Sequence, residues 1–128
     1  MNFNLLQIIV ILLVILLIIF LYYAYNYAMD SPYRVSSEKA KKLIQNGALV
    51  LDVRTDLERS TLGYYPDSIH IQSSDLEEIM PNEYLDKNIT IVAYCNSGQR
   101  ARMATEKLHS LGYNNAVYIV STYDTLIN

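Results

Sequence analysis

Cys95 is the only cysteine in the chain, and Asn96, Ser97, Gly98, Gln99 and Arg100 follow it. A thiol attacks as its thiolate, so its surroundings must favour negative charge near neutral pH. This stretch has the residues to do that. Gly98 lets the backbone curl without a Cβ in the way, so that successive N–H groups can converge on an anion. Ser97 adds a hydroxyl donor, and Arg100 adds a permanent cation with forked donors. The loop suits attack on a substrate that is itself an oxyanion, and it would stabilise an anionic group left on the sulfur. The competing reading is an inert, buried cysteine that packs like any small apolar residue.

The elements around the loop decide where it sits. From Gln99 onward, Ala101, Ala104, Leu108 and Leu111 recur at helical spacing. Cys95 therefore precedes a helix N-terminus, whose dipole favours negative charge. The run "ITIVAY", 89–94, just before it reads as a strand buried on both faces. "ALVLDV", 48–53, and "AVYIV", 116–120, read the same way. "VSSEKAKKLIQNGA" reads as a helix capped by Ser36, with an apolar stripe of Ala40, Leu43 and Ile44 and a stop at Asn46–Gly47. "DLEEIM" and "NEYL" read as helical turns split by Pro81. Strands alternating with helices imply a parallel sheet, where ligands bind beyond the carboxyl ends of the strands. Cys95 occupies such a position.

The first segment is of another kind. Leu5 to Met29 carries no charged side chain. A helix crossing the bilayer core needs about 20 mostly apolar residues. Tyr22, Tyr23, Tyr25 and Tyr27 gather at its far end, at the level where amphipathic rings suit headgroups. A secretory signal would show a shorter apolar stretch of about 7–15 residues after a basic start, and "MNFN" has no basic residue. The expected organisation is a transmembrane anchor over 1–29, a linker over 30–35 and a single domain over 36–128. Arg34, Lys39, Lys41 and Lys42 follow the span and no basic residue precedes it. The positive-inside tendency then puts the N-terminus outside and the domain in the cytoplasm, as a single-pass membrane protein. A cellular membrane and a viral envelope both fit. One lone cysteine suits a reducing compartment and forms no internal disulfide or multi-cysteine zinc site. The net charge of −3 argues against general affinity for nucleic acid. No cofactor or metal is expected.

"LVLDVRTDLERSTLGYYPDSIHIQ" and "ITIVAYCNSGQRARMATEKLHSLGYNNAVYIV" together resemble the rhodanese-like, or sulfurtransferase, family. Asp52, Val53, Arg54, Glu58, Gly63, Pro66 and Ile69 match its first half. Cys95, Ser97, Gly98 and Arg100 match its Cys loop, and Leu108, Gly112 and Tyr113 match the turn after it. The resemblance implies an α/β fold, a doubly wound parallel sheet flanked by helices, here preceded by one transmembrane helix. It implies that Cys95 carries sulfane sulfur as a persulfide between a small donor such as thiosulfate and a thiol or cyanide-like acceptor, with a protein acceptor also open. Backbone N–H groups from Asn96 to Arg100 would cradle the persulfide, Arg100 would attract the anionic donor, and Asp52 and Arg54 would brace the loop or its entrance, with a purely structural buried ion pair at a strand end equally open. The sister phosphatases and arsenate reductases use a longer loop with five residues between Cys and Arg. Here four residues separate Cys95 from Arg100, which favours sulfur over phosphate. A non-catalytic docking module at a membrane is the third reading. Tyr64 stands where the family usually has His, and Asp67 where it has Gly. The chain stops soon after the last strand, so a very short or absent last helix and a thinly covered sheet face are expected. His70 is expected as a surface residue of a strand-like turn and His109 on a solvated helix face. Tyr118 and Tyr123 are expected as core or rim residues.

Overall fold

The computed structural model describes residues 2–128. The first helix, α1, spans Leu5–Met29. Asn4 caps it: the Asn4 side chain accepts from the Gln7 N–H at 2.8 Å, and the Gln7 side chain accepts from the Asn4 N–H at 3.0 Å. Among the described residues it is the one helix long and apolar enough to cross a membrane, and none of its apolar stretch is covered by the rest of the chain.

Four parallel strands form one sheet: β1 (Leu49–Asp52), β2 (Ile69–His70), β3 (Ile91–Tyr94) and β4 (Ala116–Tyr118), in the order β2-β1-β3-β4. The helices between them are α2 (Ser37–Gln45), α3 (Asp56–Leu62), α4 (Leu76–Glu83) and α5 (Gln99–Ser110). Strand residues alternate between two cores. Leu51, Ile91 and Ala93 face Leu76 and Met80 of α4 and Ala101, Ala104 and Leu108 of α5. Val50, Val92 and Tyr94 face Ala40 of α2 and Leu126. Helices therefore cover both faces, which makes the central strands apolar up to Asp52 at the carboxyl end of β1. The chain leaves β1 towards β2 on one side and returns to β3 on the other. The order reverses between β1 and β3, and open α/β sheets bind ligands beyond the strand ends at this point.

Several local features depart from the sequence reading. Pro81 lies inside a continuous α4 rather than splitting two turns. The carbonyl it leaves without a partner is that of Glu77 on the exposed face, which water can satisfy. The segment 30–35 is not a free connector: Tyr33 and Val35 exchange backbone hydrogen bonds with Tyr118 at 3.1 and 2.9 Å, extending the sheet beside β4. That segment lays Tyr33 over His109, with ring centroids 3.8 Å apart, and His109 Nε2 lies 2.8 Å from the Ala116 carbonyl. His109 is thus a half-buried, partnered ring rather than a solvated one. His70 is likewise partnered, with Nε2 2.6 Å from the Arg54 carbonyl. The last helix is a short 3-10 turn, Tyr123–Leu126. It still covers its sheet face, because Leu126 is buried there and Ser37 Oγ donates to Thr125 Oγ1 at 2.9 Å, tying the turn to α2.

Candidate active site

Cys95 is the first residue past β3, and it is 1% exposed. The chain then turns into α5 through Gly98, whose φ of 97° lies in the left-handed region open to glycine. This turn aims the Gly98 N–H at the sulfur, and it donates to Cys95 Sγ at 3.1 Å. A Cβ at Gly98 would stand 3.1 Å from the Val120 Cα and the Ala28 Cβ, so the position has no room for a side chain.

A frame of charged side chains surrounds the loop. At the end of β1, Arg54 grips Asp52 with two bonds, Nε to Oδ1 and Nη2 to Oδ2, both 2.9 Å. Both residues are buried. Burial pushes the Asp52 carboxyl up, but the Arg54 hydrogen bonds outweigh it and hold the pKa below its ordinary value. Arg54 also donates to the Gly63 carbonyl at 2.7 Å and to Asn96 Oδ1 at 3.3 Å, so it ties the end of β1 to the Cys loop. Arg59 adds a second cation on Asp52 at 3.1 Å and reaches the Ser68 hydroxyl and carbonyl, each at 3.0 Å.

Across the loop, Glu58 binds both terminal nitrogens of Arg100, at 2.7 and 2.8 Å. It also accepts from Asn96 Nδ2 at 2.7 Å. The Arg100 hydrogen bonds, with those from Thr55, pull the Glu58 carboxyl down from 4.5 to about 2. Glu58 sits on α3, which Thr55 starts with a capping box: its hydroxyl accepts from the Glu58 N–H at 3.2 Å, and Glu58 Oε1 accepts from the Thr55 N–H at 3.2 Å. Three guanidiniums face two carboxylates in this frame, leaving one positive charge beside the buried thiol.

The chain is similar in sequence and in fold to known proteins. Residues 36–122 match the family described as the rhodanese-like domain. The chain belongs to the rhodanese-like family. Thiosulfate sulfurtransferase GlpE of Pseudomonas savastanoi is 30% identical over 87 residues, which cover 68% of this chain and 78% of that protein. The solved human single-domain sulfurtransferase TSTD1 superposes with a TM-score of 0.62 at 26% identity, covering 74% of this chain and 95% of that one. A rhodanese-related protein from Thermoplasma volcanium superposes with a TM-score of 0.62 at 28% identity, covering 73% and 89%.

Against the residues named from sequence, this rhodanese-like site is arranged as follows. Cys95, Gly98 and Arg100 lie on one turn, as the motif requires. Asp52 and Arg54 form a buried pair that reaches the loop through Asn96. Arg100 is not free for an anion, since Glu58 occupies both arms of its fork. Ser97 is exposed and donates to Gln99, not to the sulfur. Gln99 turns away from the thiol and donates to the Ala24 carbonyl of α1 at 3.3 Å. Glu58 and Arg59 carry much of the frame, yet the sequence reading assigned them no role. The signal for Glu58 was there: a Glu three residues after Thr55 at a strand end is a capping-box pattern. Its partner Arg100 lies 42 residues away, beyond any local spacing rule.

Proposed function

We propose that this chain is a membrane-anchored sulfurtransferase that moves sulfane sulfur through a Cys95 persulfide. The Cys95 thiolate attacks the outer sulfur of a donor such as thiosulfate. A new sulfur–sulfur bond forms to Cys95, the bond to the sulfite group breaks, and sulfite leaves with the electron pair. The persulfide anion then rests among the loop N–H groups, stabilised as an oxyanion would be. A nucleophilic acceptor, a thiol or cyanide, takes the terminal sulfur and returns Cys95 to its thiolate. The observation that carries this reading is the Gly98 N–H at 3.1 Å from Sγ, on a loop with four residues between Cys and Arg. Because Glu58 satisfies Arg100, the guanidinium acts here on the loop's shape and on its long-range field rather than as a direct anion clamp. A cleft of about 430 Å³ lined by Arg54, Leu62, Asn96, Thr122, Tyr123 and Asp124 meets the loop at Asn96, and it is the donor route in this reading.

The anchor belongs to the same proposal. α1 crosses a bilayer once, its tyrosines lie at the headgroups, and the basic residues after it keep the domain on the cytoplasmic side. The test uses the full chain in detergent or nanodiscs. Thiosulfate and cyanide should yield thiocyanate, and the intact mass should rise by one sulfur atom after thiosulfate alone. Cys95→Ser should lose both signals. Aryl phosphate hydrolysis without sulfur transfer would reassign the loop to phosphate chemistry. A chain that never gains sulfur from any donor would leave a docking module.

A further inference from the structure

The end of α1 is built into the Cys loop. An α-helix leaves its last four carbonyls without partners inside the helix. In α1 the Asp30 N–H closes the last bond, to Asn26, so the open carbonyls are those of Tyr27, Ala28, Met29 and the capping Asp30, and the last turn has no basic residue to complement them. The domain supplies partners for three of them. Arg102 of α5 donates to the Tyr27 carbonyl and, at 2.9 Å, to the Asp30 carbonyl just past the helix. Its guanidinium also lies over the Tyr27 ring, 4.0 Å from the centroid. The Tyr118 hydroxyl of β4 donates to the Ala28 carbonyl. Gln99 donates to the Ala24 carbonyl one turn earlier. A cation at a helix C-terminus also meets the negative end of the dipole.

These bonds press one small residue of α1 against the site. Ala28 is 1% exposed, and its Cβ and the Val120 Cα both lie 3.1 Å from where a Gly98 side chain would begin. Gly98 is the residue whose N–H points at the sulfur. The left-handed turn that aims it thus lies against both Val120, two residues past β4, and the last turn of α1.

We propose that the last turn of α1 is a positioning element of the active site. Ala28, held by Arg102 and Tyr118, keeps Gly98 in the conformation that donates to the Cys95 sulfur. The anchor therefore does more than tether the domain: it completes the wall of the anion loop. This inference rests on the sulfurtransferase reading for its catalytic meaning, but its geometry concerns the thiol alone.

The experiment measures Cys95 in the full chain in nanodiscs by two readouts, the rate of iodoacetamide alkylation across pH and the persulfide yield with thiosulfate. The variants are Tyr118→Phe, Arg102→Met and Ala28→Leu, with exposed Met103→Ala as control. Arg102→Lys tests rescue. Loosening one positioning hydrogen bond should slow alkylation at pH 7 about fivefold, with the pH profile displaced to higher pH. Arg102→Met and Ala28→Leu should match or exceed Tyr118→Phe, Arg102→Lys should recover part of the rate, and Met103→Ala should match the parent. In sulfur transfer, kcat should fall while KM for thiosulfate holds. A parent chain that forms persulfide while all three variants keep its alkylation profile overturns the positioning role alone. A parent chain that forms no persulfide overturns the sulfurtransferase reading first, and the catalytic meaning of the clamp with it.

Discussion

Two strand ends meet at this site, and they are made of different material. The end of β1 is a side-chain construction: Asp52, Arg54 and Arg59 satisfy one another and the carbonyls around them, and the pair at its centre is fully buried. The end of β3 is a backbone construction. Its donor to the Cys95 sulfur is the N–H of a residue with no side chain, aimed by a positive φ and by close neighbours. Side chains are flexible and can close their charges on each other. Backbone donors in a tight turn have no such option, so they stay directed at whatever lies inside. In the proposed sulfur transfer the first end is a scaffold and the second is open to a reacting anion.

The contrast breaks hardest at Asp52. Removing its carboxylate leaves Arg54 buried without its charge partner and takes the ion pair from Arg59. Asp52→Ala should lower unfolding free energy by about 3–5 kcal/mol, measured by urea titration. A loss under 1 kcal/mol would mean that the frame tolerates an unpaired cation and is not a scaffold in the sense used here.

Gly98→Ala tests the opposite end. Alanine at φ 97° pays the left-handed strain, and its Cβ meets the Val120 backbone, which cannot swing aside. The stability loss should be about 1–3 kcal/mol, smaller than at Asp52. The loss of persulfide yield should be the larger consequence. That split, modest in stability and severe in chemistry, is the signature expected of a backbone anion site.

The bridge between the two ends is Glu58, and pH reports on it. Its carboxyl is depressed from 4.5 to about 2 in the folded chain. The depressed group contributes stability that is present above 4.5 and is lost as pH falls from 4.5 towards 2. Glu58→Gln should therefore flatten the acid limb of a stability–pH curve over that window and leave the share from Asp52, which is also depressed. An unchanged acid limb would show that Arg100 and Glu58 are not coupled in solution.

These residues also show where a sequence can be read and where it cannot. β1, β3 and β4 were legible because burial on both faces forces apolar runs at 49–51, 91–94 and 116–118. The Cys loop was legible because Gly98 and Arg100 sit at short, fixed offsets from Cys95. α3 escaped notice because none of its residues is buried, so it carries no apolar stripe. β2 is two residues long, too short for any period. The Glu58–Arg100 and Arg102–Tyr27 contacts join segments far apart in the chain, and only the folded sheet brings them together.

The smallest effect is expected at Ser97, and it sharpens the comparison most directly. From sequence, its hydroxyl counts as an added donor of the anion loop. In the fold it is exposed and bound to Gln99, a neighbour two residues on. Exposed local hydrogen bonds of this sort exchange readily with water and contribute little. Ser97→Ala should therefore change persulfide formation by less than about threefold and stability by less than about 0.5 kcal/mol. A tenfold loss would place a side-chain hydroxyl among the donors to the anion. The end of β3 would then be a mixed site, and the division between a side-chain scaffold and a backbone cradle would no longer hold.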